Sequence, residues 1–337
     1  MTSSTAAGGP EELARFRNLT LGTIAATFLL VIVGGVVRVS ESGLGCGPAG
    51  SGTHGWPLCD GRVTPIVELN TLVEFSHRLL ATVVTILIAL MVWRAWRRLR
   101  GHTWVLRGSI AALALVFVQA GLGGLTVEHG LEEELVAAHL GLAMILIGVL
   151  LLVLRGTREG EAMPQATSGL RTLSFVAAGL VLATIVAGGY MAGTEKVGAE
   201  EDPVHGGAHM ACGTEFPTCH GDLAPFGLGP MVDVHLTHRF FMYAAALAVL
   251  AMAAVAMRRG IRSRVFPLAA LLLVAQILLG AMNVWLGEHA TLVVAHLTLG
   301  TLLWATVAYA ALELVAVPSH RRIPAPDART EASATPA

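Results

Sequence analysis

The chain is 337 residues long, 54% apolar and only 13% charged, with a mean hydropathy of +0.68 and a formal net charge of −1. Soluble domains carry roughly 25% charged residues, so this composition excludes a water-soluble globular fold and makes the lipid bilayer the solvent for most of the chain. The charges are segregated along the sequence rather than averaged, which leaves the net value uninformative about partners; no nucleic-acid partner is expected.

Residues 1–16 read as a disordered N-terminal segment. The first apolar stretch, 17–39, is long enough to cross a bilayer at about 1.5 Å per residue. It is too long for the core of a cleavable signal peptide, so it is expected to remain as the first helix. It ends in Gly34-Gly35-Val-Val-Arg38, and the loop after it holds Cys46 and Trp56-Pro57-Leu58-Cys59. The second span, 71–93, begins with Glu74-Phe-Ser-His77-Arg78 and is followed by Arg94, Arg97, Arg98 and Arg100. The third, 104–126, contains Gln119, Gly121, Gly123 and Gly124, and a short turn leads to the fourth, 135–155, with His139. Residues 156–170 form a linker.

The second half repeats this order. The fifth span, 171–193, contains Gly188-Gly189, and the following loop holds Glu200-Glu201-Asp202, Cys212 and Cys219. The sixth, 233–257, begins with His235-Leu-Thr-His238-Arg239; the seventh, 264–286, carries Gln276 and Gly280; the eighth, 291–316, carries His296. Residues 317–337 read as a disordered tail. The segments are too long, and lack the polar alternation, for strands of a closed barrel. Arginines cluster between spans two and three, four and five, and six and seven, and after span eight, which places those segments and both termini in the cytoplasm and the cysteine loops on the outer face. The expected setting is a bacterial plasma membrane.

Aligning the halves on the histidines pairs Gln119 with Gln276, Gly123 with Gly280, and Trp56-Pro57-Leu58-Cys59-Asp60-Gly61 with Phe216-Pro217-Thr218-Cys219-His220-Gly221. The expected fold is therefore an all-α integral membrane protein of eight transmembrane helices, forming two tandem four-helix bundles, 17–155 and 171–316. Four spans per repeat give both the same orientation, so the pseudo-twofold axis lies along the membrane normal.

His77, His139, His238 and His296 all enter from the outer side and fall roughly 8–10 Å below it. A single intramembrane histidine is commonly a hydrogen-bonding core residue. Four at matched depth in a duplicated pattern point instead to metal ligation, because ionisable groups at such depth are costly and neutral imidazole is the ligating form. Zinc wants three or four ligands and copper recruits thiolate or thioether, whereas haem needs only two axial imidazoles per bundle. The glycines offer faces thin enough for a macrocycle, although helix packing alone accounts for them equally well. Arg78 and Arg239 follow a candidate ligand directly and are expected to contact haem propionates, since guanidinium pairs bidentately with carboxylate; the alternative is an arginine snorkelling to the membrane interface. The cysteines are expected to form two disulfides within the loops, Cys46 with Cys59 and Cys212 with Cys219. Thiol-disulfide exchange with an outside partner is the functional alternative.

These motifs, from about Leu21 to Val315, together resemble the haem A synthase family, membrane oxidoreductases that convert haem O to haem A for terminal oxidases. The resemblance implies that His77 and His139 hold the substrate haem, that His238 and His296 ligate a permanent haem b, and that Glu74 is needed for chemistry. Cys46 and Cys59 are separated more widely than the family pattern suggests, with Pro48 to Gly55 inserted. Independently, the residue three before the first histidine is Glu74 in one half and His235 in the other, so only one ligand has a carboxylate on its own helix face. A carboxylate beside a haem edge can accept protons or orient water. The expected reaction is stepwise oxidation of a methyl group to the alcohol and then to a hydrated aldehyde that loses water, with water as oxygen source, because bis-imidazole iron offers no open position. Expected partners are haem O, haem O synthase, a membrane electron acceptor and further copies of the chain. A di-haem cytochrome b and a haem-handling chaperone or transporter remain open alternatives at this point.

Overall fold

The computed structural model describes residues 9–64, 67–158, 168–195, 207–287 and 289–317. Eight long helices dominate it: α1 (Pro10–Val39), α2 (Leu69–Arg98), α3 (Thr103–Glu128), α4 (Glu133–Gly156), α5 (Ser168–Gly193), α6 (Pro230–Arg258), α7 (Val265–Trp285) and α8 (Ala290–Glu313). All eight are long and apolar enough to cross a membrane, and the chain is a multi-pass membrane protein. Short 3-10 turns occupy the two large loops, and the only strand-like pairings among the described residues are isolated bridges, Cys59 with Arg62 and Cys219 with Asp222.

The helices start and stop for local reasons. Proline at the first turn of α1 and α6 supplies a preset φ where no amide partner is needed. Acidic residues in the first turns of α1, α4 and α6, and arginines in the last turns of α2, α4 and α6, complement the helix dipoles. Hydroxyls inside the spans bond back to the carbonyl four residues earlier, as Thr20 does to Phe16, Ser109 to Val105 and Thr301 to Leu297. Those hydroxyls are thereby satisfied within their own helices, without water.

Helix α1 begins well before the expected boundary at residue 17. The reading of residues 1–16 as disordered is therefore corrected over 10–16: Phe16 is fully buried in the core of the first bundle, so burial continues the helix beyond the hydrophobic run. Helices α2 and α6 likewise start two to three residues early. Residues 1–8, most of the linker (159–167) and the tail from 318 lie outside the described residues, as do Glu200, Glu201, Asp202 and His205.

In the first bundle α1 packs on α2, α2 on α3, α3 on α4, and α4 returns to α1; α5 to α8 close a ring in the same order. Between the bundles α4 meets α5 and α8, and α1 meets α8. Exchanging the halves turns the α1–α8 contact into the α5–α4 contact and leaves α4–α8 unchanged, so the interface itself obeys the expected twofold. The largest fully buried side chains, among them Ile88, Met91, Met144, Leu150, Met252 and Phe266, fill the half of each bundle on the arginine side. On the disulfide side the tight core stops short: no residue from Phe75 to Val83 in α2 or from Ala290 to Leu299 in α8 is buried. The histidines occupy that looser level.

Candidate functional site

His77 and His238 lie eight residues beyond the starts of α2 and α6, and His139 and His296 six beyond the starts of α4 and α8. At 1.5 Å per residue these depths are about 12 and 9 Å, so all four share one level near the disulfide side. All four imidazoles are half-buried, and the two in each bundle lie within electrostatic range of one another.

Each imidazole rests on a glycine of the preceding helix. A Cβ placed on Gly34, Gly123, Gly188 or Gly280 would lie 3.1, 3.0, 3.0 or 2.8 Å from Cε1 of His77, His139, His238 or His296 respectively. A methyl at any of the four positions would push the ring, so these glycines are seats for the imidazoles rather than generic packing residues. Others divide differently. Gly35 faces Leu297 and Gly189 faces Leu140, both across the bundle interface; Gly124 receives the indole of Trp56 from the first loop; Gly121 has nothing within 4 Å.

The ring nitrogens show what these sites are fitted to accept. The Nδ1–H of His238 donates to the Thr184 carbonyl over 3.0 Å, which leaves Nε2 as the free acceptor, the arrangement found for metal-binding imidazoles. Nδ1 of His77, His139 and His296 is buried without a partner, as are Oε1 of Gln119 and Gln276, whose amides donate to the carbonyls of His139 at 2.8 Å and His296 at 3.0 Å. The duplicated glutamines thus brace the backbone of the second histidine in each bundle. No cluster of three or more His, Cys, Asp or Glu side chains able to hold a bare metal ion is formed among the described residues. Paired imidazoles and thinned helix faces fit a planar macrocycle with two axial ligands.

The arginines expected to contact propionates are seated on the two large loops. Arg78 Nη1 donates to the carbonyls of Gly55 and Leu58 at 2.7 and 2.8 Å, while Nε and Nη2 go to the Glu74 carboxylate. Arg239 donates to the carbonyls of Pro217, Thr218 and Glu215 at 3.3, 2.8 and 2.7 Å and lies over the Phe216 ring. In both halves the guanidinium clamps the segment carrying the loop aromatic and proline, because a five-donor fork reaches several carbonyls that sequence proximity to histidine does not reveal.

Both expected disulfides are formed, Cys46–Cys59 and Cys212–Cys219, and all four cysteines are buried. The inserted segment in the first loop docks on the end of α3: the N–H groups of Gly50 and Gly52 donate to the backbone and side-chain oxygens of Glu128, each at 3.0 Å. Buried Glu74 accepts the Cys46 N–H at 2.8 Å and pairs with Arg78. His235, at the corresponding position, donates from Nδ1 to the Ala208 carbonyl over 2.8 Å. Both residues tie a loop to its helix, Glu74 as an acceptor and His235 as a donor. The sequence reading missed this, together with Trp56 and the cross-bundle contacts of Arg38. On the disulfide side His209 pairs with Glu195 and lies within electrostatic range of His238 and His296, while His220 bonds to the Ala211 carbonyl.

The profile of the COX15-CtaA family, described as cytochrome oxidase assembly protein, matches residues 17–308. The chain belongs to this family. Its members include relatives named heme A synthase. One from Alkalihalophilus pseudofirmus is 27% identical, with 91% of this chain and 99% of the relative covered. Another, from Rhizorhabdus wittichii, is 30% identical over 88% and 93% of the two chains, and one from Symbiobacterium thermophilum is 32% identical over 69% and 72%. The family match spans both bundles and all four glycine-seated histidines.

Proposed function

We propose that the chain is a haem A synthase, a membrane oxidoreductase that oxidises a methyl group of haem O to the formyl group of haem A. The observation that carries this is the doubled arrangement of two imidazoles on two glycine seats, within electrostatic range of one another, in a member of this family, with a carboxylate three residues before a histidine in only one of the pairs. In this reading His77 and His139 hold the substrate haem and His238 and His296 hold a resident haem b. The disulfide side is the outer face of a bacterial plasma membrane, and both termini lie in the cytoplasm.

Conversion of the methyl to the formyl group takes its oxygen from water and releases electrons and protons to acceptors outside the methyl carbon. When bound at His238 and His296, haem b would supply one-electron redox chemistry. The residues of the chain prepare the other side of the reaction. The four seats fix the imidazoles at one level; the two glutamines brace the second ligand of each pair; Arg78 and the Cys46–Cys59 loop cover the first bundle. Glu74 holds that cover through Cys46 and Arg78, and we assign it in addition the proton-handling role at the substrate, because it lies three residues before His77 on the same helix face. Haem O synthase as the source of substrate and a membrane electron acceptor complete the scheme.

The deciding experiment is extraction of bound porphyrins from protein made with a haem O supply, followed by chromatography and mass measurement. Haem A and the alcohol intermediate are expected. Recovery of unmodified haem b alone would leave a di-haem cytochrome as the function.

A further inference from the structure

The Gly-Gly pairs of α1 and α5 connect the two histidine sites. Successive residues of a helix point about 100° apart, so the two members of each pair face different neighbours. Gly34 seats His77 within its own bundle, while a Cβ on Gly35 would lie 2.6 Å from Cδ2 of Leu297, the residue after His296 in the other bundle. The second half mirrors this. Gly188 seats His238, and a Cβ on Gly189 would lie 3.1 Å from Cδ2 of Leu140, the residue after His139, and 3.3 Å from Cα of Ala137. Each ligand pair is thereby joined to the other by two short routes: His77, Gly34-Gly35, Leu297, His296; and His238, Gly188-Gly189, Leu140, His139.

One turn above Gly35 the junction is closed by a polar contact. Arg38 reaches from α1 to the end of α5 and donates from Nε and Nη2 to the Ala192 carbonyl at 3.2 and 2.5 Å, and from Nη2 to the Glu195 carbonyl at 2.5 Å. A cation on a helix C-terminus is favourable both as hydrogen-bond donor and against the dipole. The whole Gly34-Gly35-Val-Val-Arg38 motif is therefore spent on one ligand seat and two contacts with the opposite bundle.

We infer that Gly35 with Leu297, and Gly189 with Leu140, are positioning residues that make the state of one histidine site felt at the other across the pseudo-twofold interface. This rests on reading the two pairs as haem sites. Leu140 and Leu297, though only partly buried, pack against the core shared by the bundles, where little free volume absorbs a displacement, and each route has a single side chain between a ligand's backbone and the opposite seat. A shift of His77 on loading the first bundle moves α1 against Leu297 and hence the backbone of His296.

The test is the midpoint potential and electron paramagnetic resonance signal of the haem at His238 and His296, with the first bundle empty or loaded with haem O under conditions without turnover. Loading is expected to shift both in the unaltered protein. The shift is expected to vanish in the Gly35→Ala, Gly189→Ala double variant, where added methyls wedge the interface, and in the Leu297→Ala, Leu140→Ala double variant, where the connecting side chains are removed. It should persist in Gly22→Ala, Gly179→Ala, on the same two helices, where a Cβ meets nothing within 4 Å. No shift in the unaltered protein, or a shift retained in the leucine variant, overturns the inference; the leucine variant decides if the glycine variant fails to retain haem. Haem O conversion measured in the same preparations separates the two readings, since coupling without conversion would sink the synthase assignment and leave the coupling standing.

Discussion

Replacing Gly280 by alanine places a methyl carbon 2.8 Å from Cε1 of His296. Carbon atoms rest at about 3.5–4.0 Å, so ring or helix must yield by about 0.7 Å or more, beyond the roughly 0.5 Å within which a ligand constellation stays productive. His296 cannot retreat freely, because the Gln276 amide holds its backbone carbonyl at 3.0 Å. The expected result is a fall in haem affinity at the second site on the order of 10–100-fold, the size seen when groups supporting a metal ligand are disturbed. Purified Gly280→Ala protein, titrated with haem b and followed by its low-spin bis-imidazole absorption and resonance spectra, gives the answer. The structure also predicts a ranking: Gly123→Ala and Gly188→Ala, at 3.0 Å, should weaken their sites less, and Gly34→Ala, at 3.1 Å, least. Gly121→Ala, with open space around it, should leave haem binding intact. Full bis-imidazole occupancy in Gly280→Ala at unchanged affinity would refute the view that these glycines seat the ligands.

Glu74→Gln keeps an acceptor for the Cys46 N–H but removes the charge opposite Arg78. It is expected to preserve protease resistance of the first loop and to abolish haem A formation, whereas Glu74→Ala should lose both. If Glu74→Ala leaves haem A yield unchanged while His77→Ala eliminates it, the carboxylate has no part in the chemistry. Arg239→Ala strips hydrogen bonds from three loop carbonyls and should lower stability by about 3 kcal/mol, read as earlier thermal unfolding in detergent; an unaltered transition would contradict the clamp. Removing Cys212–Cys219, which closes a separation of 7 residues, should cost roughly 2.5 kcal/mol on the loop-entropy scale, and removing Cys46–Cys59, with a separation of 13, roughly 3. Urea midpoints of the paired serine variants measure both, and a larger loss at the shorter loop would argue against an entropic origin.

Eight spans, their duplication, the four histidines and the disulfide pairing were all legible in the linear chain. The reason is physical: hydrocarbon forces every spanning segment into a self-satisfied helix, so apolar run length reports the fold directly, and a repeat exposes its own register. The N-terminal boundary was the exception, since Pro10 to Phe16 is helical through burial of Phe16 and not through a continuous apolar run.

What the order of residues could not specify was what each side chain meets. Arg78 looks like an anion-binding residue from its place beside His77, and nothing in that place shows that it holds loop carbonyls 20 and 23 residues away together with Glu74. Glu74 and His235 differ in charge but both latch a loop. Gly34 and Gly35 are chemically identical neighbours, and only the packing of α1 between α2 and α8 makes one the seat of His77 and the other the seat of Leu297 from the opposite bundle. Local sequence sets which helices form, because each satisfies its own backbone. Which faces touch depends on contacts between residues such as Arg38 and Ala192, 154 positions apart, and that was decided only when the two bundles closed on one another.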